Sequence, residues 1–496
     1  MKRFIHTLIL SILFFSNISD VQATDYPTDL EGTLALGLPV VLISTVDGEE
    51  PTAETSYPPA GSMGESIKNA TKVPGSVKVL ASSGEIIYSS GEFINKESGM
   101  TVKLRGNTSN RSAQKPYKIK LQKKGDMLGR GDKRYNDKNW VLIKSHNLKT
   151  YLGRKIGEIM GYEWMPQGIF VNLIFNGDYK GLYTLQESIE RNENCRINVK
   201  EDGFIVEHDP YWWNENGEYL LSDYNPSYNY TFKFPDYEDA SADYLKKIAA
   251  TLRDYESSIN DGSYHSLIDV TSFARWMLSH DILGSYDAGG INWYLTKNSV
   301  NDDSPIRCGP IWDFDSALYP GPFSRMHGER FDKFFNNKNS LFAQTYVELW
   351  RDIKDSLKAE LEKTLEEINS DKWLAYDNSV KATNARYKAV LEADRRESVE
   401  DIRDYYATHF PEMEAAIDDL DKNLKLSEIE EIHEWNNSYK VEGGILYPLR
   451  DIPSLSVFTI DGTVVFNGAL QYGESLVLTK GVKIIKVDSI INKVII

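Results

Sequence analysis

The spacing of apolar residues changes twice along this 496-residue chain, and those two changes limit what it can fold into. The first part carries short β-type runs. LPVVLIST at 38–45 is continuous and β-branched and is closed by Asp47-Gly48; comparable runs occupy 76–80, 100–105, 117–121, 139–143, 168–175 and 182–186. Only Thr150 to Met160 reads as helix among them, and 49–75, rich in Pro, Gly, Ser and Glu, reads as a long loop or a poorly ordered excursion within the first domain. From Asp243 helical spacing takes over. Asp269 is placed to cap a helix through Phe273, Trp276, Met277 and His280 that stops near Gly284, and 344–426 repeats apolar residues at Ile353, Leu357, Leu361, Leu365 and Ile368. Ser398 with Asp401 predicts a capping-box start for a further helix. From Val441 alternation returns, punctuated by Gly462, Gly468, Gly473 and Gly481. The expectation is an α+β protein: a β-rich part over about 36–240, a helical part over about 241–430 and a small all-β module at 441–496.

The first 23 residues read as a secretory leader: Lys2 and Arg3, an apolar stretch from Phe4 to Phe15, and Val21-Gln22-Ala23 before Thr24. That stretch is too short to span a bilayer, and no later one is long enough, so the expected mature chain is secreted or at the cell surface without a transmembrane segment. A net charge of −17 repels nucleic acid and anionic lipid, which argues against either as a partner. Two cysteines, Cys195 and Cys308, allow one disulfide or two buried thiols, and they make no zinc pattern.

Residues 279–318 carry the chemistry. A helix runs into a loop containing Asp287; Asn292 follows five residues on, and a hairpin with an Asn-Asp-Asp turn at 301–303 leads to Asp313. Phosphoryl transfer to a hydroxyl needs a carboxylate to take or orient the proton and oxygen ligands for magnesium, and Asp287, Asn292 and Asp313 supply those parts in the order and spacing that protein kinases use. Asp313 and Asp315, two apart, would share one side of a strand, an arrangement suited to a divalent ion. A cation for the phosphates is offered by 102–124: after the Arg105-Gly106-Asn107 turn, Lys118 and Lys120 face away from Tyr117, Ile119 and Leu121. The alternative for this segment is a basic edge strand whose lysines prevent aggregation. The helix at 150–160 is positioned in sequence to carry a partner for the lysine.

Four motifs in order, Arg105 to Ser109, Lys115 to Lys120, Gly181 to Glu187 and Trp312 to Asp315, resemble the spore coat protein H (CotH) kinase family, as do LPVVLIST and Lys149 to Arg154. The resemblance spans roughly residues 36–425. It implies an atypical protein-kinase-like fold of two lobes, a β-rich N-lobe and a helical C-lobe, that binds ATP with magnesium and phosphorylates Ser or Thr on proteins outside the cytosol. Carried over by position, Asp287 would be the catalytic aspartate, Asn292 and Asp313 the metal ligands, and Lys118 or Lys120 the phosphate-binding lysine, with Arg105 and Glu187 in the nucleotide cleft; Asp315 joins the expected metal ligands from its spacing to Asp313. YDAGGIN at 286–292 departs from the polar loop expected there, which makes Asp281 a rival for Asp287. The end of the chain, in Leu455 to Gly462, Leu478 to Val482 and Asn492 to Ile496, resembles the sorting domain of type IX secretion and implies secretion machinery as a partner. Two other readings compete: an inactive kinase scaffold serving as a surface protein or adhesin, and a metal-dependent glycosyl transferase using Asp313-Phe314-Asp315.

Overall fold

The computed structural model describes residues 25–495 except 60–63, 65, 70, 145–147, 216, 224–226, 286, 327–328, 336–339, 389–394, 435–437, 443, 460–462, 480–481 and 488–489. The leader expected at 1–23 lies outside the described residues. After a short helix α1 (Leu30–Leu34), the strands are β1 (Val40–Thr45), β2 (Ala53–Ser56), β3 (Ser66–Asn69), β4 (Val73–Leu80), β5 (Ile86–Ser89), β6 (Met100–Leu104), β7 (Tyr117–Gly125) and β8 (Asp137–Lys144). Helix α2 (Lys149–Ile159) precedes β9 (Gly168–Phe175) and β10 (Asp178–Glu187). An eight-stranded sheet runs β1-β9-β10-β8-β7-β6-β4-β5, and an extra β1–β4 pairing closes it into a barrel-like ring with β5 outside. Alternation explains the closure, because each strand sends every second residue inward: Val102, Leu104, Tyr117, Ile119, Trp140, Leu142, Leu173 and Leu185 fill one buried cluster.

A second sheet, β12-β13-β11-β14-β15, is built from β11 (Phe204–Asp209), β12 (Tyr219–Leu220), β13 (Asn229–Phe234), β14 (Trp293–Lys297) and β15 (Arg307–Cys308). Its Phe204, Val206, Trp293 and Leu295 join the largest core, together with the helices. These are α3 (Ala242–Asp261), α4 (Val270–Leu283), α5 (Glu329–Phe335), α6 (Leu341–Asn369), α7 (Leu374–Tyr387) and α8 (Arg395–Glu434). Asp269 caps α4 as expected, accepting from Ser272 N at 3.0 Å, and Gly284 ends the helix in the left-handed conformation. Helix α8 begins at Arg395, ahead of the capping box expected at Ser398. The all-β tail is present as small sheets between Tyr439 and Ile495 with their own core around Leu446, Leu455, Val457 and Ile485. The architecture is therefore mixed α+β, with a small all-β end. Among the described residues no helix is long and apolar enough to cross a membrane.

Three local expectations change. The loop expected at 49–75 contains the β2–β3 hairpin. Lys118 does not sit on an edge strand, because β7 lies between β6 and β8 inside the closed sheet, so its lysines have no free edge to protect. Cys195 and Cys308 are both free; Cys308 is buried and its Sγ accepts from Trp293 Nε1 at 2.7 Å.

Candidate active site

The outer face of the barrel and the smaller sheet enclose a cleft. Val141 from β8 packs with Ile205 of β11, Tyr294 of β14 and Trp312, an apolar floor that joins the two sheets. Beside it opens a cavity of 530 Å³ lined by Lys120, Asn139 and Glu190 on one side and Glu201, Lys233 and Tyr244 on the other. The period-2 rule decides which side chains reach this space. On β7 the inward set is Tyr117, Ile119 and Leu121, so Lys118 and Lys120 point outward; on β11 Phe204 and Val206 join the main core, so Ile205, Glu207 and Asp209 take the cleft face.

Lys118 is half-buried and its Nζ meets Glu190 Oε1 at 3.0 Å. The partner comes from the segment after β10 and not from α2, whose Glu158 pairs with Lys155 of the same helix at 3.0 Å. Lys120 is exposed and lines the cavity. Arg105 lies over the Trp312 ring, its guanidinium carbon 5.8 Å from the centroid. Glu187 does not share this face. It is 0% exposed, accepts from Arg130 Nη1 at 2.8 Å, Trp164 Nε1 at 3.1 Å and Gln167 N at 3.1 Å, and borders a separate 290 Å³ cavity with Cys195. With its oxygens committed to those donors, Glu187 holds the barrel end to the loop after α2.

The segments carrying the three expected catalytic residues converge. Gly309 N donates to Tyr294 O at 3.1 Å, so the chain leaving β15 runs antiparallel beside β14 toward Asn292. Further on, Leu318 N donates to Leu283 O at 2.7 Å, and the Ser285 and Ser316 hydroxyls lie 3.0 Å apart, which sets the Asp313 turn against the end of α4. Asp287 opens a single helical turn, Asp287–Gly289, at this place; its side chain lies outside the described residues. Asn292, buried, and Asp313, exposed, both have left-handed backbones, with φ of 58° and 61°. Asn and Asp tolerate that region better than other side chains, and such conformations concentrate where geometry is fixed for function. The Asp313 charge reaches the buried Tyr294 hydroxyl, which burial and then Glu207 hold well above the usual phenol range.

Residues 313–315 form no strand, so Asp313 and Asp315 do not share a face. Phe314 turns into the core against α2, where a side chain at Gly153 would collide with its ring, and Asp315 turns toward Lys144 and Lys149. Burial lowers both lysines and Asp315 opposes that shift; Lys149 Nζ also donates to the Asp315 carbonyl at 3.2 Å.

The glycine-rich loop also has a cause. A Cβ on Gly290 would stand 2.9 Å from the Tyr228 ring, and the Gly290 carbonyl accepts from His208 Nδ1 at 3.1 Å, so the loop is clamped by packing where polar side chains were expected. Asp281, the rival carboxylate, is buried in α4. It accepts from Met326 N and the Tyr346 hydroxyl, each at 2.7 Å, and burial pushes it up to about 7. Its oxygens are committed to bonds within the core.

Sequence reasoning missed Glu190, Glu207, Asp209 and Lys233. Lys233 pairs with Glu207 at 2.8 Å; burial opposes its charge, but Glu207, Glu215 and Asp209 outweigh it and raise the ammonium above its ordinary value. Asp209 is pushed up to about 7 by burial and then by Glu207, while Lys233 works the other way. For Glu207 and Asp209 the signal was FIVEHD at 204–209, in which two acids stand two apart at the end of an apolar strand. The β2–β3 hairpin crosses to this region: Ser66 Oγ donates to Asn107 Oδ1 at 2.6 Å and accepts from Asn214 Nδ2 at 3.1 Å.

Magnesium commonly takes one or two protein carboxylates and completes its shell with water and phosphate oxygens. Among the described residues no three His, Cys, Asp or Glu side chains converge on one metal position. Asp313 and Asn292 each offer an oxygen ligand, so a magnesium ion here would take the rest of its shell from water or a bound phosphate. No curated protein matches the chain. The model of the CotH kinase protein family matches residues 102–410, more than half of the sequence and the whole stretch from the Arg105 turn through α7, so the chain belongs to the CotH kinase family, whose chemistry is kinase-type phosphoryl transfer.

Proposed function

We propose that this chain is an exported protein kinase with a two-lobed kinase-like arrangement, transferring the γ-phosphate of ATP to Ser or Thr hydroxyls of extracytoplasmic proteins. The Lys118–Glu190 ion pair supports this most directly: a half-buried lysine tied to a glutamate on the cleft face, on the strand next to the Val141 and Trp312 floor. Asp287 accepts the proton of the acceptor hydroxyl. Asp313 and Asn292 hold magnesium, which when bound offsets the phosphate charge. Arg105, stacked on Trp312, fixes the edge of the nucleotide cleft, and Lys118 and Lys120 face its phosphates. Residues 1–23 direct export and the all-β tail after Val441 acts as the sorting module of type IX secretion.

Incubating the purified protein with magnesium and γ-labelled ATP, alone and with secreted proteins of its source, tests this. Label on Ser or Thr that disappears with Asp287→Asn is expected. ATP binding with no label on any acceptor would instead leave a nucleotide-binding surface protein.

A further inference from the structure

Lys103 stands directly opposite Lys118 in the antiparallel β6–β7 ladder. Residues so paired have Cβ atoms about 4.5–5.5 Å apart, and like charges there are destabilising. Both side chains leave the barrel on the cleft side, because Val102 and Leu104 point inward on β6. Lys118 is answered by Glu190 at 3.0 Å and Lys233 by Glu207 at 2.8 Å. Among the described residues Lys103 makes no ion pair, although it is half-buried. The charges around it come from four elements: Lys118 on β7, Lys72 ahead of β4 and Lys233 on β13 oppose its protonation, and Glu215, beyond β11, favours it. Burial is the larger influence, and together with Lys118 it brings the ammonium down to about 8. A central strand of a closed sheet gains nothing from such a pair as protection against edge pairing, so the uncompensated cation calls for an anion in the cleft.

We propose that Lys103 is a phosphate-positioning residue, and that the phosphate chain of the nucleotide is the anion that neutralises the Lys103–Lys118 pair. This rests on the kinase reading and deepens it: Lys118 is held by Glu190, and Lys103 is the cation left over to follow the phosphates. A ligand with a phosphate chain is therefore preferred over one that carries only the base and sugar.

Calorimetric titration of MgATP, adenosine and inorganic tripolyphosphate into the wild type, Lys103→Ala and Lys103→Arg tests the assignment. Lys103→Ala is expected to weaken MgATP and tripolyphosphate by about ten- to a hundredfold and leave adenosine unchanged, with Lys103→Arg restoring both. Wild-type affinity for MgATP should also fall between about pH 7 and about pH 9 as Lys103 loses its proton, and Lys103→Arg should remove that fall. Equal MgATP affinity in wild type and Lys103→Ala, or a parallel loss of adenosine, overturns the proposal. If the wild type binds tripolyphosphate through Lys103 but not MgATP, the kinase reading fails and the phosphate assignment stands. Binding of neither overturns both.

Discussion

The two faces of the same strands make opposite physical choices. Inside the barrel, β6 and β7 present Met100, Val102, Leu104, Tyr117, Ile119 and Leu121, all buried. Outside they present Lys103, Lys118 and Lys120, charges that face a second sheet bearing Glu207, Asp209 and Lys233. The inner face is selected for volume and the outer for electrostatics, so substitutions on adjacent residues should separate stability from chemistry. Charges collected in a partly buried cleft cost stability, and they persist where a ligand or reaction repays that cost.

The largest effect is expected from the loop that the cleft serves. Asp287→Asn should slow phosphate transfer by about 10²–10⁴-fold while MgATP affinity changes little, since the amide cannot accept the hydroxyl proton. Single-turnover rates measured beside binding would show it, and a rate near wild type would move the base elsewhere. On the inner face, Ile119→Ala should cost about 2–5 kcal/mol in denaturant unfolding, with nucleotide affinity of the folded protein unchanged. Its neighbour Lys118→Ala should do the reverse, because a partly exposed ion pair contributes about 0–1 kcal/mol. Equal stability losses in the two variants would break the division between the faces.

A third test concerns the other buried carboxylate. Asp281 is raised from 3.8 to about 7 in the folded chain, so its favourable contribution is complete below the unfolded value and is lost as pH rises toward 7. Asp281→Asn should flatten the fall in thermal stability over that window, leaving the slope from Asp209, which burial and Glu207 raise in the same direction, set against the opposite slope of His280, which burial lowers to about 3. An unchanged slope would mean Asp281 keeps its charge through its bonds to Tyr346 and Met326. The smallest effect on function belongs to the hairpin: Ser66→Ala removes one bond to Asn107 and one from Asn214, and should cost about 1–3 kcal/mol in unfolding with transfer retained.

The strands expected at 117–121, which runs on to Gly125, and at 168–175, and the cap at Asp269, were legible because alternation and N-capping are local rules. The closed barrel was not, since it depends on β1 pairing β4 on one side and, across more than a hundred residues of chain, β9 on the other. The order Asp287, Asn292, Asp313 could be read from spacing. The partner of Lys118 could not, because Glu190 lies 72 residues away on a segment with no periodic signature. Asp315 was misread for a local reason: the left-handed turn at Asp313 ends the strand geometry on which a shared face depended. Glu187 was misread for a distant one, its partners being supplied by Arg130, Trp164 and Gln167.

The proposed kinase activity requires that the cleft bind a magnesium nucleotide through Asp313. Titrating ATP into the wild type and Asp313→Ala, with and without millimolar magnesium, measures it directly. Saturable binding that requires magnesium and is lost in Asp313→Ala is the expected result, since removing an ionic ligand leaves the phosphate charge uncompensated. Absence of binding by the wild type in magnesium, or equal binding by the variant, would contradict it.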